Sequence, residues 1–228
     1  MVGNNGVYKG TTTFTGNDLI RFVDNSSTPD IVTGTIKGSH SDSFVKWGRA
    51  SGGTYNGQPM LMTNWVTGIA TPSAAISALN VADIKGAYTI TNSTAPYIVS
   101  GGGTVTTGLA DSVTSTSLIL DFKKYELDYN LSIPIASNVI TITGTKLSLI
   151  PGSAKFSDNS AIITGAGTTG CVCPITGAGI LASGASVEGS LFGPNAERIG
   201  LQYGVQVSGA GLPNGSGNLY GSVVGTKQ

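Results

Sequence analysis

The stretch Glu126-Leu127-Asp128-Tyr129-Asn130-Leu131-Ser132-Ile133 alternates apolar and polar residues without a break. Leu127, Tyr129, Leu131 and Ile133 share one face, and every residue on the other face is polar. A period of two with one wet face is the mark of an antiparallel strand packed on a core. Leu201, Tyr203, Val205 and Val207 repeat the pattern opposite Gln202, Gly204, Gln206 and Ser208. Leu118, Leu120 and Phe122 follow it, as do Ile140 and Ile142.

Extending this reading gives strands at 86–92, 97–106, 116–123, 126–134, 138–143, 159–164, 186–192, 199–208 and 218–226. Asn-Gly pairs at Asn5-Gly6, Asn56-Gly57 and Asn214-Gly215 mark tight turns. About eight antiparallel strands with one polar face close most simply into an up-and-down barrel, which leaves no free edge. Such a barrel fills its interior with side chains or holds one small ligand. Glycines 189, 204, 221 and 225 fall inside the strand patterns, where a small barrel needs bends and close approaches.

The first half offers shorter candidate strands at 7–15, 19–23, 30–38, 44–49 and 61–66. They predict a small antiparallel sheet, a handle, preceding the barrel and packed on it. The boundary is expected between Thr71 and Asp83, with a short helix over Pro72 to Leu79. The expected division is a β handle over 1–80 and an eight-stranded barrel over 81–228, an all-β protein.

Composition narrows the function. The chain has 228 residues, of which 12 are basic and 12 acidic, so it lacks the cationic excess of a nucleic-acid binder. Its 34 glycines, 25 serines and 27 threonines make up more than a third of it. Glycine shows no collagen period, and 39% hydrophobic residues argue against disorder. No apolar run approaches the roughly 20 residues of a spanning helix. The first residues have neither the basic nor the apolar region of a signal peptide. That fits a mature or excised form of an exported protein, with a cytosolic protein as the alternative.

Motifs that carry chemistry are scarce. Gly165-x-Gly167-x-x-Gly170 matches a dinucleotide fingerprint, but Cys171-Val172-Cys173-Pro174 follows where a helix is needed, so a loop is expected. His40 is the single histidine, and no Gly-x-Ser-x-Gly elbow accompanies it. Asp121, Glu126, Asp128 and Glu188 could supply a carboxylate pair, but Glu126 and Asp128 alternate with an apolar face and so point to solvent. No enzyme is expected. Cys171 and Cys173 are a candidate local disulfide, strained by their spacing; with one histidine they make a poor metal site, and none is expected. A lone imidazole can also ligate haem, and aromatics cluster in the same half as His40. His40, Tyr55, Trp47 and Trp65 are therefore candidate ligand-binding residues, with haem the possible cofactor. The competing account makes those aromatics the core of the small sheet.

Gly189-Ser190-Leu191-Phe192-Gly193-Pro194-Asn195-Ala196-Glu197-Arg198-Ile199-Gly200 resembles the "G-x-F-x-G-x-x-A-x-E-x-G-G" signature. That signature marks the C-terminal barrel of transferrin-binding protein B and its Gram-negative relatives, including factor H-binding protein and hemophilins. Trp47-Gly48-Arg49-Ala50-Ser51-Gly52-Gly53 is similar to the "WGRW-x-GG" element of surface proteins often joined to an N-terminal FecR domain. Leu120-Asp121-Phe122, Leu201-Gln202-Tyr203 and Gly221-Ser222-Val223-Val224-Gly225 follow in the same order, so the match spans about 44–228. Ile199-Gly200-Leu201 departs from the paired glycines of the transferrin binders. The resemblance implies a handle and barrel on the cell surface or secreted. It implies capture of haem, an iron-carrier or another host or bacterial protein through loops, and transfers no individual binding residue. In the signature, Gly193-Pro194 breaks a strand and Asn195 is expected to cap one helical turn. The alternative is a structural, adhesive or self-assembling subunit with no small ligand, and zero net charge would suit self-association.

Overall fold

The computed structural model describes the chain except residues 1, 4–5, 8–9, 16–17, 25–30, 56–57, 60–61, 101–102, 104, 107–112, 136–137, 151–153, 166–172, 176–177 and 209–214. All its strand pairings are antiparallel. The N-terminal sheet contains β1 (Val2–Gly3), β2 (Gly6–Val7), β3 (Gly10–Thr15), β4 (Asp18–Asp24), β5 (Ile31–Ser41), β6 (Val45–Tyr55), β7 (Gln58–Pro59) and β8 (Met62–Gly68). Its order is β2-β1-β8-β6-β5-β4-β3, with β7 on β6.

Helix α1 (Ser73–Val81) comes next in the chain. Pro72 precedes it in extended conformation, where a missing N–H costs nothing. The helix stops at Asp83, which has φ +55°. Ile76 is fully buried in the core of the second sheet, and Asn80 Nδ2 donates to the carbonyls of Phe122 and Lys123 at 2.7 and 3.0 Å. The helix thus stoppers one end of that second sheet.

The second sheet holds β9 (Lys85–Ser93), β10 (Tyr97–Ser100), β11 (Val105–Thr106), β12 (Thr114–Asp121), β13 (Glu126–Ile135) and β14 (Asn138–Ser148). It continues with β15 (Lys155–Gly165), β16 (Cys173–Ile175), β17 (Ala178–Phe192), β18 (Arg198–Ser208) and β19 (Ser216–Lys227). Neighbours along β9-β12-β13-β14-β15-β17-β18-β19 are paired in turn, and β19 returns to pair β9 from Val223↔Ser93 to Lys227↔Tyr88. That last pairing closes the path into a ring of eight strands. β10 continues the line of β9 past a break at 94–96 and pairs the first half of β19, from Tyr97↔Tyr220 to Ser100↔Gly217.

The expected alternation is met. Leu127, Tyr129, Leu131 and Ile133 are buried inside the ring, and Asp128 is exposed outside it. Each aliphatic side chain so buried contributes about 1.5–3 kcal/mol. Phe122, Phe156, Val187, Leu191, Leu201, Tyr203, Val205 and Val223 complete one continuous core. Gly189 lies level with Phe156 and Leu201 across its two neighbouring strands. A methyl group there would press on both side chains and on the carbonyl of Gly200.

Two details differ from the sequence reading. The segment 97–106 is a hairpin, with Val99 paired to Val105, and not one strand. The outer face of β18 is not wholly wet: Gln206 is exposed, but Gln202 is only 6% exposed because the N-terminal sheet packs over that part of the ring. Asn5, Asn56 and Asn214, of the three predicted turns, lie outside the described residues, as does the Gly167–Gly170 part of the glycine-rich loop.

Candidate functional site

The seam between handle and barrel begins at the corner after β17. Gly193 has φ +87°, a conformation that favours glycine, and Ala196 follows at φ +59°. The turn is not helical, and Asn195 is not its cap. The Glu197 carboxylate closes the corner instead. Its Oε2 accepts from the Asn195 N–H at 2.9 Å and its Oε1 from Asn195 Nδ2 at 3.2 Å. The left-handed Ala196 directs its methyl into the barrel core and its carbonyl to the Tyr88 hydroxyl, which donates at 2.9 Å. Burial, and then the negative Glu197, push the Tyr88 phenol far above its ordinary range.

The next residue, Arg198, reaches out of the corner. Its guanidinium Nε donates to Asp42 Oδ2 in the β5–β6 turn, and the guanidinium lies 5.7 Å from the centre of the Phe44 ring. Asp42 Oδ1 meanwhile accepts from the N–H groups of Phe44 and Val45 at 2.8 and 3.0 Å. One carboxylate therefore shapes the handle turn and ties it to the barrel. Burial alone would raise the Asp42 carboxyl. Hydrogen bonds from Phe44, Arg198 and Val45 outweigh it and hold the group below its usual range.

A carboxyl depressed in the folded state adds stability above its unfolded value, and that stability is lost as pH falls through the lower folded value. Solvent reaches both partners, so the tie is worth about 1 kcal/mol or less. Asp42→Asn is expected to melt slightly below the wild type at neutral pH. The gap should begin to narrow as pH falls below about 4, near the unfolded value, and close only below the depressed folded value, where the Asp42 carboxyl is neutral in both states. Thermal melts across that range check it; a gap unchanged by pH would mean that shape and not charge makes the tie.

Beyond the corner the seam has an apolar part, Val45, Trp47 and Val66 of the handle against Phe192 and Val224 of the barrel. It also has a polar part. Thr94 Oγ1 donates to Asn64 Oδ1 at 3.0 Å and accepts from the Ser222 N–H at 3.0 Å, and Arg49 Nη1 donates to the Ala95 carbonyl at 3.3 Å. Across the strands Glu188, Gln202 and Ser222 stand in one register row. Among the described residues, neither polar atom of the Gln202 amide has a hydrogen-bond partner, nor has Glu188 Oε2. Burial raises the Glu188 carboxyl.

Trp47 and Trp65 occupy neighbouring strands, 3% and 1% exposed. Trp47 is paired with Val66, and Trp65 with Gly48, so the two indoles lie on opposite faces of the handle sheet. His40 is the register partner of Trp47 on β5. Tyr55 ends β6, paired with Val32 and Gln58. Trp47 and His40 are thus brought level, while Trp65 and Tyr55 stand apart from that pair. Cys173 opens β16, which pairs with β17; Cys171, and with it the candidate bridge, lies outside the described residues. Asp128 Oδ1 accepts from the Lys146 N–H, and Asp121 holds the Lys124 N–H and lies near Lys85. Asp121 thus serves the turn after β12, and Asp128 the register shift between β13 and β14.

The barrel's two ends differ. At the α1 end the connections are short, at 122–125, 149–154 and 193–197. The links between strands at the other end span 101–113, 136–137, 166–177 and 209–215, much of which lies outside the described residues. The sequence there is nearly uncharged: 129–145, 159–187 and 199–226 contain no charged residue, and 86–120 contains Asp111 alone.

The chain matches no family model, and no curated protein matches it. Its fold is similar to that of a mutant of the vaccine antigen transferrin-binding protein B from Haemophilus parasuis Hp5. The identity is 14% and the TM-score 0.51, over 95% of this chain and 38% of that one. It is also similar to the isotype 1 transferrin-binding protein B from serogroup B Neisseria meningitidis, at 16% identity and TM-score 0.51, over 96% of this chain and 36% of that one. The chain spans little more than a third of either protein, and what it shares with them is the all-β fold, a transferrin-binding protein B-like arrangement of sheet and barrel.

Proposed function

We propose that the chain is a non-enzymatic binding protein of the transferrin-binding protein B and hemophilin kind, on the surface of a Gram-negative bacterium or secreted from it. Residues 1–80 form a handle and 81–228 a barrel. Together they capture haem, an iron-carrier protein or another host protein through loops of the handle and of the barrel end remote from α1. The observation that supports this reading is a barrel packed with side chains whose long connections gather at one end. A rigid scaffold that carries long loops at one end is the usual basis for recognition. The links at that end of the barrel carry almost no charge, so they offer hydrogen bonds and apolar contact.

Titration with haemin separates the ligand classes. A saturable Soret shift that disappears in His40→Ala supports haem capture. No saturable change removes haem as the ligand and leaves a protein partner.

A further inference from the structure

The handle sheet ends on β3, whose one hydrogen-bonded neighbour among the described strands is β4. The other side of β3 therefore presents backbone N–H and C=O groups with none of the described strands beside them. The barrel has no such side, because β19 and β9 close it. The remaining strands with a single neighbour, β2, β7, β11 and β16, are two or three residues long, whereas β3 has six.

Long edges are normally protected by charge, by proline or by shortness. Gly10-Thr11-Thr12-Thr13-Phe14-Thr15 contains no charge and no proline. Its threonines and phenylalanine favour extended backbone. A register shift between Thr13 and Phe14 leaves Gly10 to Thr13 as a regular stretch against β4, and Thr13 is exposed.

We propose that this edge pairs antiparallel with β3 of a second copy of the chain, joining two handle sheets across a two-fold axis. An isologous contact of this kind is self-complementary and closes at two copies. With Thr12 opposite Thr12, each Thr11 faces the Thr13 of the other copy, and threonine pairs across strands are favourable. No like charges meet, and two copies of zero net charge have no long-range repulsion to overcome. A strand bringing its own charges would gain none of this from an uncharged edge.

Light scattering on a size-exclusion column, at high micromolar concentration, tests it. The wild type is expected at twice the chain's 23.0 kDa. Thr13→Lys places two like charges diagonally on one face of the joined sheet and is expected to elute at the mass of one chain. Its circular dichroism should match the wild type, since the position is exposed, and its melting temperature should match at dilutions where the wild type is also single. Thr13→Val keeps an uncharged β-branched residue and should retain the doubled mass. A wild type at single mass throughout, a wild type larger than two copies, or a Thr13→Lys protein that stays doubled would each overturn the pairing.

Discussion

Gly189→Ala is expected to destabilise the protein by about 1–3 kcal/mol, and Gly189→Leu by more, because overpacking a filled core costs about that and more when no neighbour can retreat. Position 189 faces the interior between Phe156 on β15 and Leu201 on β18, both almost fully buried. A new Cβ would stand 2.6 Å from Leu201 Cδ2 and 2.5 Å from the backbone oxygen of Gly200. The side chains could move only into other core atoms. The carbonyl could move only by breaking the ladder between β17 and β18. Denaturant unfolding followed by circular dichroism reads the loss directly. An alanine variant as stable as the wild type would mean that the ring is open or loosely filled here.

Trp47→Ala carries the second large effect, about 3–5 kcal/mol, the usual cost of emptying a buried indole site. The side chain joins Val45 and Val66 of the handle to Phe192 and Val224 of the barrel. Its loss should therefore loosen the handle from the barrel as well as lower stability. The expected sign is a melting curve that splits, the handle leaving first, where the wild type melts once. Trp47→Phe should keep much of the contact. If Trp47 instead formed the wall of a ligand slot, its replacement would weaken binding and leave the melting curve intact.

These two residues also show what could be read without a structure. Gly189 falls within a period-two pattern and within the corner signature, so a close approach there was predictable from neighbours in the chain. Strand positions from Glu126 to Ile135 were legible for the same reason, since alternation is a local property. Trp47 was identified as notable, but which side of its sheet it occupies depends on the pairing of β6 with β8 and on what covers that face. The same limit applies to Gln202, polar by pattern yet buried because the handle lies over it. Arg198 and Asp42 meet across 156 positions, and nothing local to either announces the other. The turn after Val99 escaped because Gly101-Gly102-Gly103 reads equally as a bend within a strand or a hairpin. Asn195 looked like a cap by residue type. The left-handed Ala196 leaves no helical turn to cap, and the Glu197 carboxylate satisfies the corner instead.

Recognition by loops at the uncharged end of a solid barrel makes a claim about salt. Contacts without charge are little affected by ionic strength, whereas charged ones weaken as counterions screen them. The most direct measurement is a saturation isotherm of the immobilised chain with an iron-carrier protein and, in parallel, with haemin, each at low and high salt. Capture through this surface predicts saturable binding of at least one ligand, with nearly the same affinity of the protein partner at both salt concentrations. A flat response to both ligands would contradict capture of haem or of an iron carrier, and a protein affinity that collapses with salt would move the contact away from this end of the barrel.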